Sequence, residues 1–183
     1  MEVNKIKRIA TGANVMPLLW ALQLHPELWN QHTARTRDEE SPHHEVDDIW
    51  CRFAELKDGS APEEHDSVWY PGILEALPIR PLVMPLMKFV DGERLGGILI
   101  TRIPAGCSVK PHIDPGWHAR YYDKYAIQVQ SAPGQRFCFD DQYLEPQPGD
   151  VYWFDNQYSH WVINDTPFDR ITLIVAIKTH KGD

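Results

Sequence analysis

Two histidines, an aspartate and an arginine in the second half of the chain have the types and spacing to do chemistry. In Pro111-His112-Ile113-Asp114-Pro115 the imidazole and the carboxylate stand two residues apart, so on a strand both leave the same face and can grip one ion. Taken alone, the pair also fits a loop histidine followed by a turn-forming aspartate. His160, in the later strand-like segment DNQYSHWVIND, supplies a third ligand if antiparallel packing sets it beside the first two. Two imidazoles and one carboxylate form a facial triad, which leaves three positions of an octahedral iron(II) open to a chelating cosubstrate and oxygen. Zinc in a cupin-like site competes for the same ligands, so iron is preferred only if a second feature demands it. Arg170 is that feature. It follows the NDTPFD turn ten residues after His160, and its planar guanidinium matches the distal carboxylate of 2-oxoglutarate as a bidentate pair. The competing reading is a surface arginine that merely begins a strand.

Short strands must position these groups. Gly97–Ile103, Lys124–Ser131, Arg136–Asp140, Asp150–Phe154, His160–Asn164 and Arg170–Lys178 are rich in β-branched and aromatic residues and bounded by Pro, Gly, Asn or Asp. Pro148-Gly149-Asp150 and Asn164-Asp165-Thr166-Pro167 read as turns between them. Strands this close, without helices between, predict antiparallel sheets in a sandwich, jelly roll or small barrel. The first half reads differently. Apolar residues from Asn14 to Asn30 recur at helical spacing, interrupted at Pro26, and Pro71 to Leu77 could form another short helix. Residues 31–70 contain RTRDEESPHHEVDD and KDGSAPEEHDS, which predict long loops. We expect residues 1–80 to be helices and substrate-side loops packed on a catalytic core of residues 81–183, as one folding unit.

Composition bounds the partners. With 183 residues, 43% apolar residues and seven tryptophans, the chain can bury a core unaided. Its formal charge of −8 disfavours nucleic acid or an anionic membrane as partner, although one cleft can still be basic. Three cysteines without a CxxC pair disfavour a disulfide framework and a thiolate zinc site, and fit a reducing, cytoplasmic compartment. No apolar run approaches the roughly 18–20 residues of a membrane helix. Oligomeric state is not legible.

The segments GGILITRIPAGCSVKPHIDPG and PQPGDVYWFDNQYSHWVINDTPFDRITLIVAIK resemble the aspartyl/asparaginyl β-hydroxylase family of 2-oxoglutarate oxygenases. The N-terminal HPELW, RTR and SPHHEVDDIWCRF are similar to its smaller microbial members. The resemblance implies a double-stranded β-helix with metal ligands His112, Asp114 and His160, and Fe(II), 2-oxoglutarate and O2 as cofactor and cosubstrates. It further implies that Thr101 helps Arg170 hold the cosubstrate. Where the family often has Arg-x-His, this chain has Lys124-Tyr125-Ala126, so Lys124 would grip a cosubstrate or substrate carboxylate as a point charge. The substrate would be an amino acid, free or in a peptide or protein. Candidates to hold it are His118 and Arg120, and Arg35, Arg37, His43 and His44 on the polar loop. Trp117, Trp153 and Trp161 either line the cavity or pack the core. The alternatives are a non-catalytic cupin-like metal and ligand sensor, and a zinc or manganese isomerase on the same fold.

Overall fold

The run Arg170–Thr179 explains the architecture, because its side chains alternate between two environments. Ile171, Leu173, Val175 and Ile177 belong to one apolar core, while Arg170, Thr172 and Ile174 face an internal cavity. A strand buried on both faces reads as the near-continuous apolar run ITLIVAI. The computed structural model of the chain describes residues 3–55 and 64–180.

Eleven strands form two antiparallel sheets in the described residues, facing each other as a double-stranded β-helix. The larger comprises β1 (Ile6–Ala10), β2 (Asp47–Phe53), β3 (Val68–Trp69), β4 (Gly92–Ile103), β6 (Asp123–Gln130), β9 (Val151–Phe154) and β11 (Arg170–Thr179). Its order is β1-β9-β6-β11-β4-β2-β3. The smaller holds β5 (Ser108–His112), β10 (His160–Ile163), β7 (Arg136–Phe139) and β8 (Tyr143–Leu144), in that order. Between the sheets lies an inner core that includes Ile103, Val109, Ala126, Phe137, Tyr152, Phe154 and Val162. Outside the larger sheet, α1 (Met16–Leu24) and α3 (Arg80–Phe89) bury Leu18, Leu22, Leu82, Val83 and Leu86 in the outer core. Two short helices, α2 (Ile73–Ala76) and α4 (Gly116–Tyr121), sit in the connections.

The six strands expected in the second half are present, with ends shifted by a few residues, and β4 reaches back to Gly92. Pro26 divides the first helical stretch as expected, ending α1 before a 3-10 turn at Pro26–Leu28. At the Pro148-Gly149 turn, Gly149 takes φ +87°, and a Cβ there would meet the Ala13 carbonyl at 2.9 Å. Only glycine fits that approach.

The short elements β3, β5, β8 and α4 were not expected, and three further elements depart from the expectation. β1 and β2 bring residues from the first half into the larger sheet, and β2 lies where loops were expected. Its two leading aspartates depress strand propensity, yet Asp48 is fully buried against an arginine and Ile49 and Cys51 fill the outer core. α3 runs through Pro81 and Pro85: Pro81 falls in the first turn, where a missing N–H costs nothing, and packing of Leu82, Val83 and Leu86 outweighs the break at Pro85. Residues 57–63 of the KDGSAPEEHDS segment lie outside the described residues.

Candidate active site

His112 ends β5 and His160 begins β10, and the two are direct partners in the antiparallel register. Their ring centroids lie 4.4 Å apart. Each Nδ1–H donates to the carbonyl two residues earlier, His112 to Lys110 and His160 to Tyr158, both at 2.9 Å. These bonds fix the tautomer and present both Nε2 lone pairs, as a metal-ligating histidine requires. Phe137 stacks on the His160 ring at 5.6 Å with the planes 6° apart and sets its plane.

Asp114 stands 3.4 Å from the His112 Nε2 through Oδ1. Its other oxygen accepts from the Asn156 amide at 3.3 Å, and its backbone N–H donates to the Asn156 carbonyl at 3.2 Å. Asn156 is buried and also donates to the Ala119 carbonyl, so it ties the metal carboxylate to α4. Sequence reasoning missed Asn156. Its one signal is a position four residues before His160, where an Asx residue reads more simply as a turn.

Among the described residues, His112, Asp114 and His160 form the cluster able to hold an ion, with ligand atoms all within 4.8 Å of one another. Burial lowers the His160 pKa, against the opposing pull of the Tyr158 carbonyl, which favours the neutral, ligating form. Burial pushes the Asp114 pKa up, but its contact with His112 and the charge of Lys124 outweigh it and hold the carboxyl well below its usual range.

The triad opens into a cavity of about 210 Å³ between the sheets. At one end is Arg170, only 2% exposed. Its Nη2 donates to Gln128 Oε1 at 3.0 Å and to the Tyr152 hydroxyl at 3.1 Å, while its Nε is buried without a partner. Among the described residues no carboxylate pairs with it. A buried guanidinium held only by neutral groups is costly, and it fits an incoming carboxylate.

By sequence the chain matches the family model described as aspartyl/asparaginyl beta-hydroxylase over residues 24–180. The chain belongs to that family. It is a hydroxylating dioxygenase on the double-stranded β-helix fold. No curated protein matches it by sequence. Among solved structures, the hydroxylase is similar to a Trichoplax adhaerens prolyl hydroxylase in complex with a hypoxia-inducible-factor oxygen degradation domain peptide fragment. That match has a TM-score of 0.60 and 13% identity, covering 97% of this chain and 85% of that one. A viral collagen prolyl hydroxylase from Paramecium Bursaria Chlorella virus-1, in a 2-oxoglutarate complex, matches with a TM-score of 0.56 and 9% identity over 96% and 97%. A 2OG-Fe(II) oxygenase family oxidoreductase from Burkholderia pseudomallei matches with a TM-score of 0.54 and 15% identity over 76% and 71%. At these identities the likeness is one of fold.

Other expected site residues of the hydroxylase divide. Thr101 faces the cavity, but its hydroxyl donates to Asp48 at 3.0 Å and accepts from Arg35 at 2.9 Å. Arg35 also forks onto both Asp48 oxygens, at 2.6 and 2.9 Å, anchoring the polar loop to the sheet. That loop caps the free edge of β5 through the Pro42 carbonyl and Glu45. It thereby sets His43 edge-on to His112, with centroids 4.5 Å apart and its Nδ1 buried without a partner. Burial, helped by Arg35 and His112, pulls the His43 pKa down to about 2.

His118 lines the cavity and accepts from the Gly97 N–H at 3.1 Å, and burial, with Lys124, lowers its pKa to about 3. Lys124 also lines the cavity. Arg37 and Arg120 are exposed and do not line it, and His44 is exposed. Trp50 is the indole that lines the cavity, whereas Trp153 packs on the outer core and Trp117 stacks on Tyr121.

Proposed function

We propose that the chain is an Fe(II)- and 2-oxoglutarate-dependent dioxygenase that hydroxylates a C–H bond of an amino acid, free or within a peptide or protein. Succinate and carbon dioxide would be the coproducts. The observation that carries this reading is Arg170, a buried cation without a carboxylate partner, opening on the same cavity as a two-histidine, one-carboxylate cluster.

The residues fit both groups. His112, Asp114 and His160 would hold the ion through pre-oriented Nε2 atoms and a carboxylate that stays ionised. Three ligands on one side suit iron with open positions better than a closed structural zinc site. Arg170, steadied by Gln128 and Tyr152, would receive the far carboxylate of 2-oxoglutarate, with its free Nε completing the fork. When bound, iron(II) with 2-oxoglutarate and O2 supplies the oxidative decarboxylation that hydroxylates an unactivated C–H bond. The protein's own part is to bind, orient and keep water from the reacting carbon. Val109, Phe137, Phe154 and Val162 make the cavity wall around the triad apolar. The Trichoplax structure, solved with a peptide, supports a peptide as one form of substrate.

The test is succinate release by purified protein supplied with iron(II), ascorbate and 2-oxoglutarate, with mass spectrometry of amino-acid and peptide libraries for gain of one oxygen atom. Both signals should require O2. Activity indifferent to oxygen would point to a zinc or manganese enzyme, and binding of metal and 2-oxoglutarate without turnover would point to a sensor.

A further inference from the structure

The two helices outside the larger sheet leave an apolar face uncovered. α1 carries no charged residue and buries Leu18 and Leu22 in the outer core. Its opposite side presents Met16, Trp20 and Leu24, spaced by four and therefore in one row, with Trp20 60% and Leu24 77% exposed. A helix that is apolar all round belongs in an interior. α3 repeats the pattern, burying Leu82, Val83 and Leu86 and exposing Met84 and Phe89. Single apolar side chains on a surface are ordinary, whereas a contiguous patch larger than a few hundred Å² marks an interaction site.

Beside the row lies a hole. A cavity of about 390 Å³ opens between the helices, walled by Pro17 of α1 and by Pro81, Pro85 and Phe89 of α3, and floored by Ile127 and Val151 of the sheet. It shares no residue with the catalytic cavity, which lies on the other face of the sheet. Proline rings and a phenyl make a flat apolar wall on which an indole can pack. Trp20 stands about one turn from Pro17, so knob and hole are neighbours on one face. Neither helix carries an acidic residue, and the two exposed cations of α3, Arg80 and Lys88, stand near its ends and do not line the hole. In a chain of formal charge −8, this is a face at which two copies repel little. A twofold axis beside such a pair brings each knob to the other copy's hole. The exposed row, Met84, Phe89 and the cavity wall together make on the order of 800 Å², which is what each partner of a standard-size complex buries. A bilayer would take up the projections and leave the hole empty.

We propose that the chain forms a twofold dimer through α1 and α3, in which Trp20 of each copy seats in the hole between the helices of the other. The contact covers no residue of the catalytic cavity, so both cavities stay available to ligands. This inference is independent of the oxygenase reading.

The experiment is sedimentation velocity on the full chain from about 1 to 100 µM, with circular dichroism of each variant to show that it is folded. The unmodified chain should sediment as a dimer with a micromolar or tighter Kd. Trp20→Glu should weaken dimerisation at least about 100-fold. Pro85→Arg, which restores a helix N–H and puts a long cation into the hole, should do the same. Both residues are exposed, so both variants should fold. Mixed in equal amounts, the two variants should recover a weaker dimer, because Trp20 of the Pro85→Arg chain still meets the open hole of the Trp20→Glu chain. Neither variant makes that pairing with itself. A monomer at the highest concentration, a dimer that survives in folded Trp20→Glu protein, or two variants that stay monomeric when mixed would overturn the proposal. So would a monomer that co-sediments with phosphatidylcholine and phosphatidylserine vesicles through Trp20, which would give the face to a membrane instead.

Discussion

The two sheets of the β-helix prepare for ligands in opposite ways. On the smaller sheet the metal-facing imidazoles have their second nitrogens fixed by backbone carbonyls, and Asp114 is clamped by Asn156, so the site is set before an ion arrives. On the larger sheet the charged groups are left incomplete, Arg170 with an unpartnered Nε and Lys124 buried without an ion pair among the described residues. Rigid preparation suits a metal that tolerates little error in geometry. Unspent charge suits organic anions, whose binding then relieves a desolvation cost already present in the fold.

The contrast breaks most sharply at the metal. Asp114→Ala should lower iron(II) affinity by more than about 100-fold and abolish turnover, read by calorimetry and succinate release. Next is Arg170→Met, which keeps bulk but removes the fork. It should raise the 2-oxoglutarate KM by about 100-fold and leave metal affinity nearly unchanged; an equal loss of both would mean that the sheets are not independent. Asn156→Ala should weaken metal binding about tenfold with little effect on the 2-oxoglutarate KM, because it acts only on the clamp.

A smaller effect concerns acid. The folded-state pKa values of His118 and His43 lie at about 3 and about 2, far below the ordinary 6.5. The unfolded chain therefore binds more protons, and stability is lost as pH falls below about 6.5. His118→Gln keeps an acceptor for the Gly97 N–H but cannot titrate. Urea midpoints between pH 7 and 4.5 should fall less steeply in that variant than in the parent. The smallest change is Cys107→Ser at a half-buried site away from the cavity, expected to shift stability by about 0.5 kcal/mol or less and to leave succinate release intact.

How much was legible follows the same division. The β10 and β11 segments announce themselves because each residue's local preference agrees with its environment, so the spacing of His160 and Arg170 was readable. β2 was not, since buried Asp48 contradicts its strand until Arg35, thirteen residues away, is set beside it. Asn156 was invisible for a related reason: its job is defined by two partners distant in sequence, Asp114 and Ala119. The loop arginines illustrate the limit. RTR offers two equivalent side chains, and only the fold selects Arg35 for the cavity and leaves Arg37 in solvent.

The family match begins at residue 24, so β1 falls outside it, yet Ile6–Ala10 covers the flank of β9 along Val151–Phe154. A short basic strand there occupies backbone donors and acceptors that would otherwise invite a second molecule to stack. Trimming the chain to the matched region would therefore be expected to yield a protein prone to self-association, and an affinity tag is better appended beyond Thr179 than spliced in place of those first ten residues.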